Sequence, residues 1–138
     1  MSETGGDSKI VIRFSPFLAE RLLENAEDTY IDDQERGVAS PRYGVSVLAG
    51  ERRDGESEDE AIARILSTTN LRGGRKIAIM SEVTLNEHGF QLVFDPNDRE
   101  PMHHLVGDNA LTAPPRVDVL ASLMQDRRSN PLYKEGTS

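Results

Sequence analysis

Residues 76–108 read KIAIMSEVTLNEHGFQLVFDPNDREPMHHLVGD, and the fold turns on this stretch. Residues 76–80 form an apolar run of strand length, with no turn former inside it. Ser81 can cap a helix, Glu82 suits its first turn, and Gly89 suits the left-handed position after its last turn. Residues 82–88 therefore read as a short helix. The competing version is one long strand that continues through Val83 and Leu85 and turns back at 86–89. Phe90, Leu92 and Phe94 alternate as a strand in both versions. Asp95, Pro96, Asn97 and Asp98 are turn chemistry, and a last strand is expected over 102–106. The stretch is thus the centre of a sheet, and the remaining segments have to cover it.

The segments before it supply two strand–helix units. KIVIRF (9–14) reads as a strand buried on both faces, with Arg13 as its one polar intrusion. Ser15 followed by Pro16 is a helix opening, a hydroxyl cap and then proline at the first helical position. Phe17, Leu18, Leu22 and Leu23 recur at helical spacing, which predicts a helix over 16–27. The polar, turn-rich residues 28–42 read as a surface loop. YGVSVLAG (43–50) is the second strand, with Val45 and Val47 on one face and Ser46 and Leu48 on the other. ERRDGE (51–56) is a charged turn. Ser57 and Glu60 have the spacing of a capping box, and Ile62, Ile65 and Leu66 stripe a helix that ends near Thr69.

After the central stretch, Ala113-Pro114-Pro115 breaks the chain. Val117, Leu120, Ala121 and Met124 then mark a last amphipathic helix. Residues 1–8 are small and polar and read as a disordered N-terminus, and 129–138 read as a polar C-terminal tail. The expected architecture is a single α/β (α+β) domain over 9–128, a mixed sheet of four to five strands covered by three to four helices.

Composition narrows the chemistry. With 138 residues the chain is long enough to bury a real core, and without cysteine it has no disulfide, thiol nucleophile or thiolate-held metal. Residues 1–8 lack the basic and apolar parts of a signal peptide, and no apolar run reaches membrane-span length, so the expected location is cytoplasmic. Sixteen Lys and Arg against 24 Asp and Glu give a net charge of −8. That balance opposes nucleic acid as a partner and suits solubility in the first place, or a basic protein partner.

A few residues could carry chemistry. A charge inside an apolar strand is costly unless paired, so Arg13 either binds an anion or pairs with a carboxylate of 32–33. His103 and His104 are adjacent, so on a strand they face opposite ways and at most one can serve a given site. No spacing of histidines and carboxylates here matches a metal centre. The strings VIRFSP and YGVSVLAG resemble the opening strands of NAD-using ADP-ribosyltransferases. The resemblance implies NAD as cofactor, Arg13 on its phosphates and Ser46 structuring the cleft, with His103 or His104 as polar catalyst. It covers about a third of the chain, and the Glu that family requires on a late strand has no counterpart.

Arg72 and Arg75 flank a Gly-Gly loop that could contact an anion or RNA. Leu132 and Tyr133 are isolated apolar residues in the tail that could dock on a partner. These features lead to the expectation of a small acidic, non-enzymatic protein-binding module of the antitoxin, immunity or regulatory-subunit type. It would use no cofactor and no membrane. The alternatives are an ADP-ribosyltransferase-like or other nucleotide-handling enzyme and a nucleic-acid binder.

Overall fold

The strands alternate so strictly that they define two cores before any helix is considered. The computed structural model describes residues 9–69, 75–108 and 115–132, and its six strands form one sheet. They are β1 (Ile10–Phe14), β2 (Val45–Gly50), β3 (Lys76–Ser81), β4 (Phe90–Phe94), β5 (His103–Asp108) and β6 (Asp126–Ser129). The spatial order is β4-β5-β2-β1-β3-β6, and every neighbouring pair is antiparallel. Four helices cover the sheet: α1 (Ala19–Glu35), α2 (Glu58–Leu66), α3 (Glu82–Glu87) and α4 (Val117–Ser122).

Val11, Val45, Val47, Ala49, Ala78 and Met80 point to one face. There they meet Leu22 and Ala26 of α1, Leu85 of α3 and Leu120 of α4. Ile12, Leu48, Ile77 and Ile79 point to the other face and meet Ile62, Ile65 and Leu66 of α2. The α+β class expected from the sequence is what the chain adopts, with β1 and β2 buried between the two layers.

The local signals behave unevenly. The capping box is present: Ser57 Oγ accepts from the Glu60 N–H at 3.1 Å and Glu60 Oε1 from the Ser57 N–H at 2.8 Å. Ser81 likewise caps α3 by accepting from the Thr84 N–H, and Gly89 ends it with φ of 86°. The short-helix version of 82–88 is therefore the correct one. At Gly50 the backbone is closely approached: a Cβ there would lie 2.6 Å from Met102 Cε and 3.0 Å from Ile65 Cγ1, so both side chains would have to shift.

Three expectations are corrected. Ser15 does not cap α1, because its N–H still donates to Lys76 O at 3.2 Å and prolongs the ladder between β1 and β3. The helix starts at Ala19, with Leu18 at the cap position and no side-chain cap bond. It also runs to Glu35, through what reads as loop, because residues 42–46 pair with its polar side chains. Thr29 Oγ1 donates to Gly44 O at 2.8 Å, Tyr30 stacks on Tyr43 at 4.3 Å, and Asp33 binds Arg42 at 2.9 Å. The sheet also gains a strand, β6, in the charged stretch DRRS. Asn130, just beyond it, is buried and its N–H donates to Arg75 O at 2.8 Å. Residues 1–8, 70–74, 109–114 (with Ala113 and Pro114 of the expected chain break) and 133–138 lie outside the described residues.

Candidate functional site

Arg13 shares a face with Val11 and lies under α1. Its Nη1 donates to Asn25 Oδ1 at 2.9 Å and to Ser46 O at 2.8 Å, and its Nε donates to Pro16 O at 3.3 Å. The residue is only 8% exposed, and burial without a carboxylate partner among the described residues pulls its pKa down to about 10. The carboxylate expected as its partner, Asp33, is bound to Arg42 instead. The Asn25 amide oxygen also accepts from the Ser46 N–H at 2.8 Å. One neutral side chain thus holds a buried cation and a strand N–H together.

The two histidines separate as alternation requires. His103 lies opposite Leu48 and His104 opposite Val47. His103 Nδ1 is 2.9 Å from Asp95 O and 3.3 Å from Asp95 Oδ2. Asp95 Oδ1 in turn accepts from Arg42 Nη2 at 3.3 Å, and Arg42 Nε donates to Asp33 Oδ2 at 2.9 Å. The Arg42 hydrogen bond keeps the Asp33 carboxyl below the ordinary carboxylate range. This chain of groups ties the end of α1 to the β4–β5 connection.

His103, Ser46 and Arg13 do line one crevice together with Glu100, but its volume is about 110 Å³. Pockets for small ligands run from roughly 300 to 1,000 Å³. Within this crevice the guanidinium is already committed to its internal acceptors.

His104 belongs to a different place. It is 2% exposed, its Nδ1 donates to Met102 O at 2.8 Å, and its Nε2 accepts from Lys9 Nζ at 3.0 Å. The Met102 carbonyl can only accept, so it fixes the proton on Nδ1 and leaves the Nε2 lone pair for the ammonium. Burial lowers the His104 pKa, the Met102 bond opposes this, and the Lys9 and His103 charges add to the lowering. The imidazole is neutral at pH 7. Lys9 and His104 line a cleft of about 760 Å³ that also takes in Arg52, Arg53, Phe94 and Met102.

The remaining sequence candidates are dispersed. Arg75 is exposed just before β3, and its carbonyl holds Asn130. Leu132 is 45% exposed, with its N–H donating to Asn130 Oδ1 at 2.9 Å. Arg72 and Tyr133 lie outside the described residues. Among the described residues no group of three or more His, Asp and Glu is placed to hold a metal ion, and no helix is long and apolar enough to cross a membrane. No known protein family, curated protein or solved structure matches the chain.

The surfaces themselves therefore carry the argument, and two of them stand out in chemistry. The first is the outer edge of β4. Among the described residues β4 pairs only with β5, and its sequence FQLVF contains no charge and no proline. The Asp95 N–H donates inward to His103 O, so by antiparallel alternation the Leu92 and Phe94 N–H groups point outward. Phe94 is 59% exposed. The opposite edge, β6, carries Asp126, Arg127 and Arg128, the usual guard against unwanted pairing.

The second surface is the solvent face of α1. Glu20, Glu24, Glu27, Asp28, Asp32 and Glu35 are all exposed there, around an Ile31 that is 49% exposed. Its one cation, Arg21, pairs with Glu24 at 3.0 Å. Sequence inspection overlooked both surfaces. FQLVF was legible as a strand but not as an edge, and the acidic residues were divided between a helix and a supposed loop.

Proposed function

We propose that this protein is a non-enzymatic protein-binding module, of the antitoxin, immunity or regulatory-subunit type, that takes up an extended basic segment of a partner along β4. The observation that carries this reading is the β4 edge, which pairs with no second strand among the described residues. Natural sheets protect such edges with charge, proline or a covering element, and an unguarded one is a template for strand addition. Main-chain hydrogen bonds to the outward N–H and C=O groups would supply affinity. The Phe94 ring would supply a side-chain anchor.

The sign of the partner's charge follows from α1. A helix with this many exposed carboxylates attracts a basic surface and speeds encounter with it. Asp33, Arg42 and Asp95 tie the end of that helix to the end of β4. Strand addition along β4 thus begins beside the acidic helix end.

The test is affinity capture from the host lysate at low and high salt, followed by amide hydrogen exchange on the purified complex. A basic partner should be retained at low salt and lost at high salt, with exchange slowed at Leu92 and Phe94. Gln91→Lys keeps the β4–β5 ladder and places a like charge in the path of a basic strand. It should weaken the complex about tenfold or more, which is ~1.4 kcal/mol. No partner at either salt, or protection that leaves β4 unchanged, would sink the idea.

A further inference from the structure

The cleft lined by Lys9 and His104 has the opposite character from the rest of this acidic molecule. Four of its lining residues are cationic, Lys9, Arg52, Arg53 and Arg64, against the carboxylates Glu51 and Asp54. Arg64 is committed elsewhere, to Glu56 at 2.8 Å and to the Glu51 carbonyl at 2.5 Å. Arg52 and Arg53 are exposed, and among the described residues no carboxylate lies within ion-pair distance of either guanidinium or of the Lys9 ammonium. Lys9 spends its charge on a neutral imidazole and on the Phe94 ring, whose centroid is 5.8 Å from Nζ. Lys9, Arg52 and Arg53, none of them ion-paired to a carboxylate among the described residues, therefore line one concavity in a chain of net charge −8. Glu56 accepts from the Arg53 N–H and acts on its guanidinium only at longer range.

The immediate surroundings of Lys9 are built rather than accidental. His104 is almost fully buried and held by Met102 O, so its Nε2 fixes the Lys9 ammonium at the cleft wall. An ammonium held by a neutral acceptor keeps its full charge for a ligand. Two adjacent arginines on the loop after β2 add planar forks that match phosphate oxygens. Phe94, 59% exposed and tilted against His104 at 5.1 Å, offers an aromatic surface, and Met102 a polarisable one. The volume of about 760 Å³ falls within the range of ligand pockets, roughly 300 to 1,000 Å³.

From this we infer that the cleft is a binding site for a small phosphate ester with a planar apolar body, the mononucleotide class of ligand. Lys9, Arg52 and Arg53 receive the phosphate, and Phe94 and Met102 receive the body. The site shares Phe94 with the strand-capture edge, but Lys9, Arg52 and Arg53, which receive the phosphate, belong to the cleft alone, so ligand binding does not depend on strand capture. Together they describe a binding module that also senses a small molecule.

The probes are AMP, inorganic phosphate and adenosine, read by thermal shift and calorimetry on the full chain at low salt. AMP should raise the melting temperature by a few degrees, inorganic phosphate less, and adenosine least. Arg52→Ala/Arg53→Ala changes two exposed side chains that form no ion pair among the described residues, and the Arg53 N–H bond to Glu56 is kept, so it should fold normally and bind AMP at least about tenfold more weakly. Phe94→Ala should weaken AMP while leaving the response to inorganic phosphate in place. Gln91→Lys, which disables the β4 edge, should leave AMP binding unchanged, so the two proposals fail separately. The inference is overturned by no AMP response, or by an AMP response that survives the double arginine variant. Equal responses to AMP and inorganic phosphate would also overturn it, by reducing the cleft to a bare anion contact.

Discussion

A buried arginine with no carboxylate beside it makes an unusual anchor, and Asn25 is what allows it. The sequence singled out Arg13 correctly as a charge that must be satisfied. It did not point to the partner, because an asparagine in a helix reads as surface, and nothing local links it to a strand 12 residues earlier. Removing Asn25 with Asn25→Ala orphans the Ser46 N–H and leaves the guanidinium with two carbonyl acceptors. A loss of about 2–3 kcal/mol is expected. Arg13→Met should cost less, about 1 kcal/mol or below. It removes the charge whose desolvation had to be overcome, and Asn25 keeps its bond to Ser46. Urea unfolding at constant m-value reads both changes. If Arg13→Met proves the more damaging of the two, the anchor role assigned to Asn25 is wrong. The histidines show the same division. Their opposite faces follow from strand alternation alone, whereas Lys9 lies 95 residues away from the His104 it binds, beyond the reach of any local pattern.

Most elements were legible where their signals lie within one turn of helix or one strand, although the equally local Ser15-Pro16 pair misplaced the start of α1. The Ser57–Glu60 box, the Ser81 cap and Gly89 each satisfy backbone groups a few residues away, and each behaves as its chemistry dictates. The last two turns of α1 were not legible, since their support comes from residues 42–46 across the chain. Asp33 shows how much of that support is electrostatic. It is 2% exposed and accepts from both the Arg42 side chain and the Arg42 N–H. Asp33→Asn should cost about 2 kcal/mol, and amide exchange should quicken over the C-terminal end of α1. The pH dependence has a definite sign. The folded-state pKa of Asp33 lies below the ordinary 3.8, so its stabilisation is complete above that value and is lost as pH falls through the lowered one. The stability gap between wild type and Asp33→Asn should therefore narrow in acid. A constant gap from neutral to strongly acidic pH would show that Asp33 acts through shape rather than charge.

At the scale of the whole molecule, strand identity was readable and strand order was not. Alternation shows which residues lie on a face, but β1 sits between β2 and β3 only because both surround it with matching faces. The sixth strand was invisible for a related reason. DRRS has no apolar residue, and its place rests on backbone pairing to β3 and on side chains reaching across the fold. Arg127 lies over the Phe17 ring at 4.9 Å, and Arg128 binds Asp126 at 2.8 Å and Glu58 at 2.9 Å. A charged strand at this position does two things at once. It completes the ladder on the apolar strand β3, and it turns an edge of KIAIMS into one that repels pairing. Ending the chain after Gln125 should therefore expose β3, lower the melting temperature by several degrees and produce assemblies visible by light scattering. Ending it after Leu132 retains β6 and Asn130 and should leave the protein monodisperse at wild-type stability. If both truncated forms behave alike, β6 is not what guards this side of the sheet. The contrast with β4 would then lose its meaning, because a bare edge implies a partner only in a molecule that protects its other one.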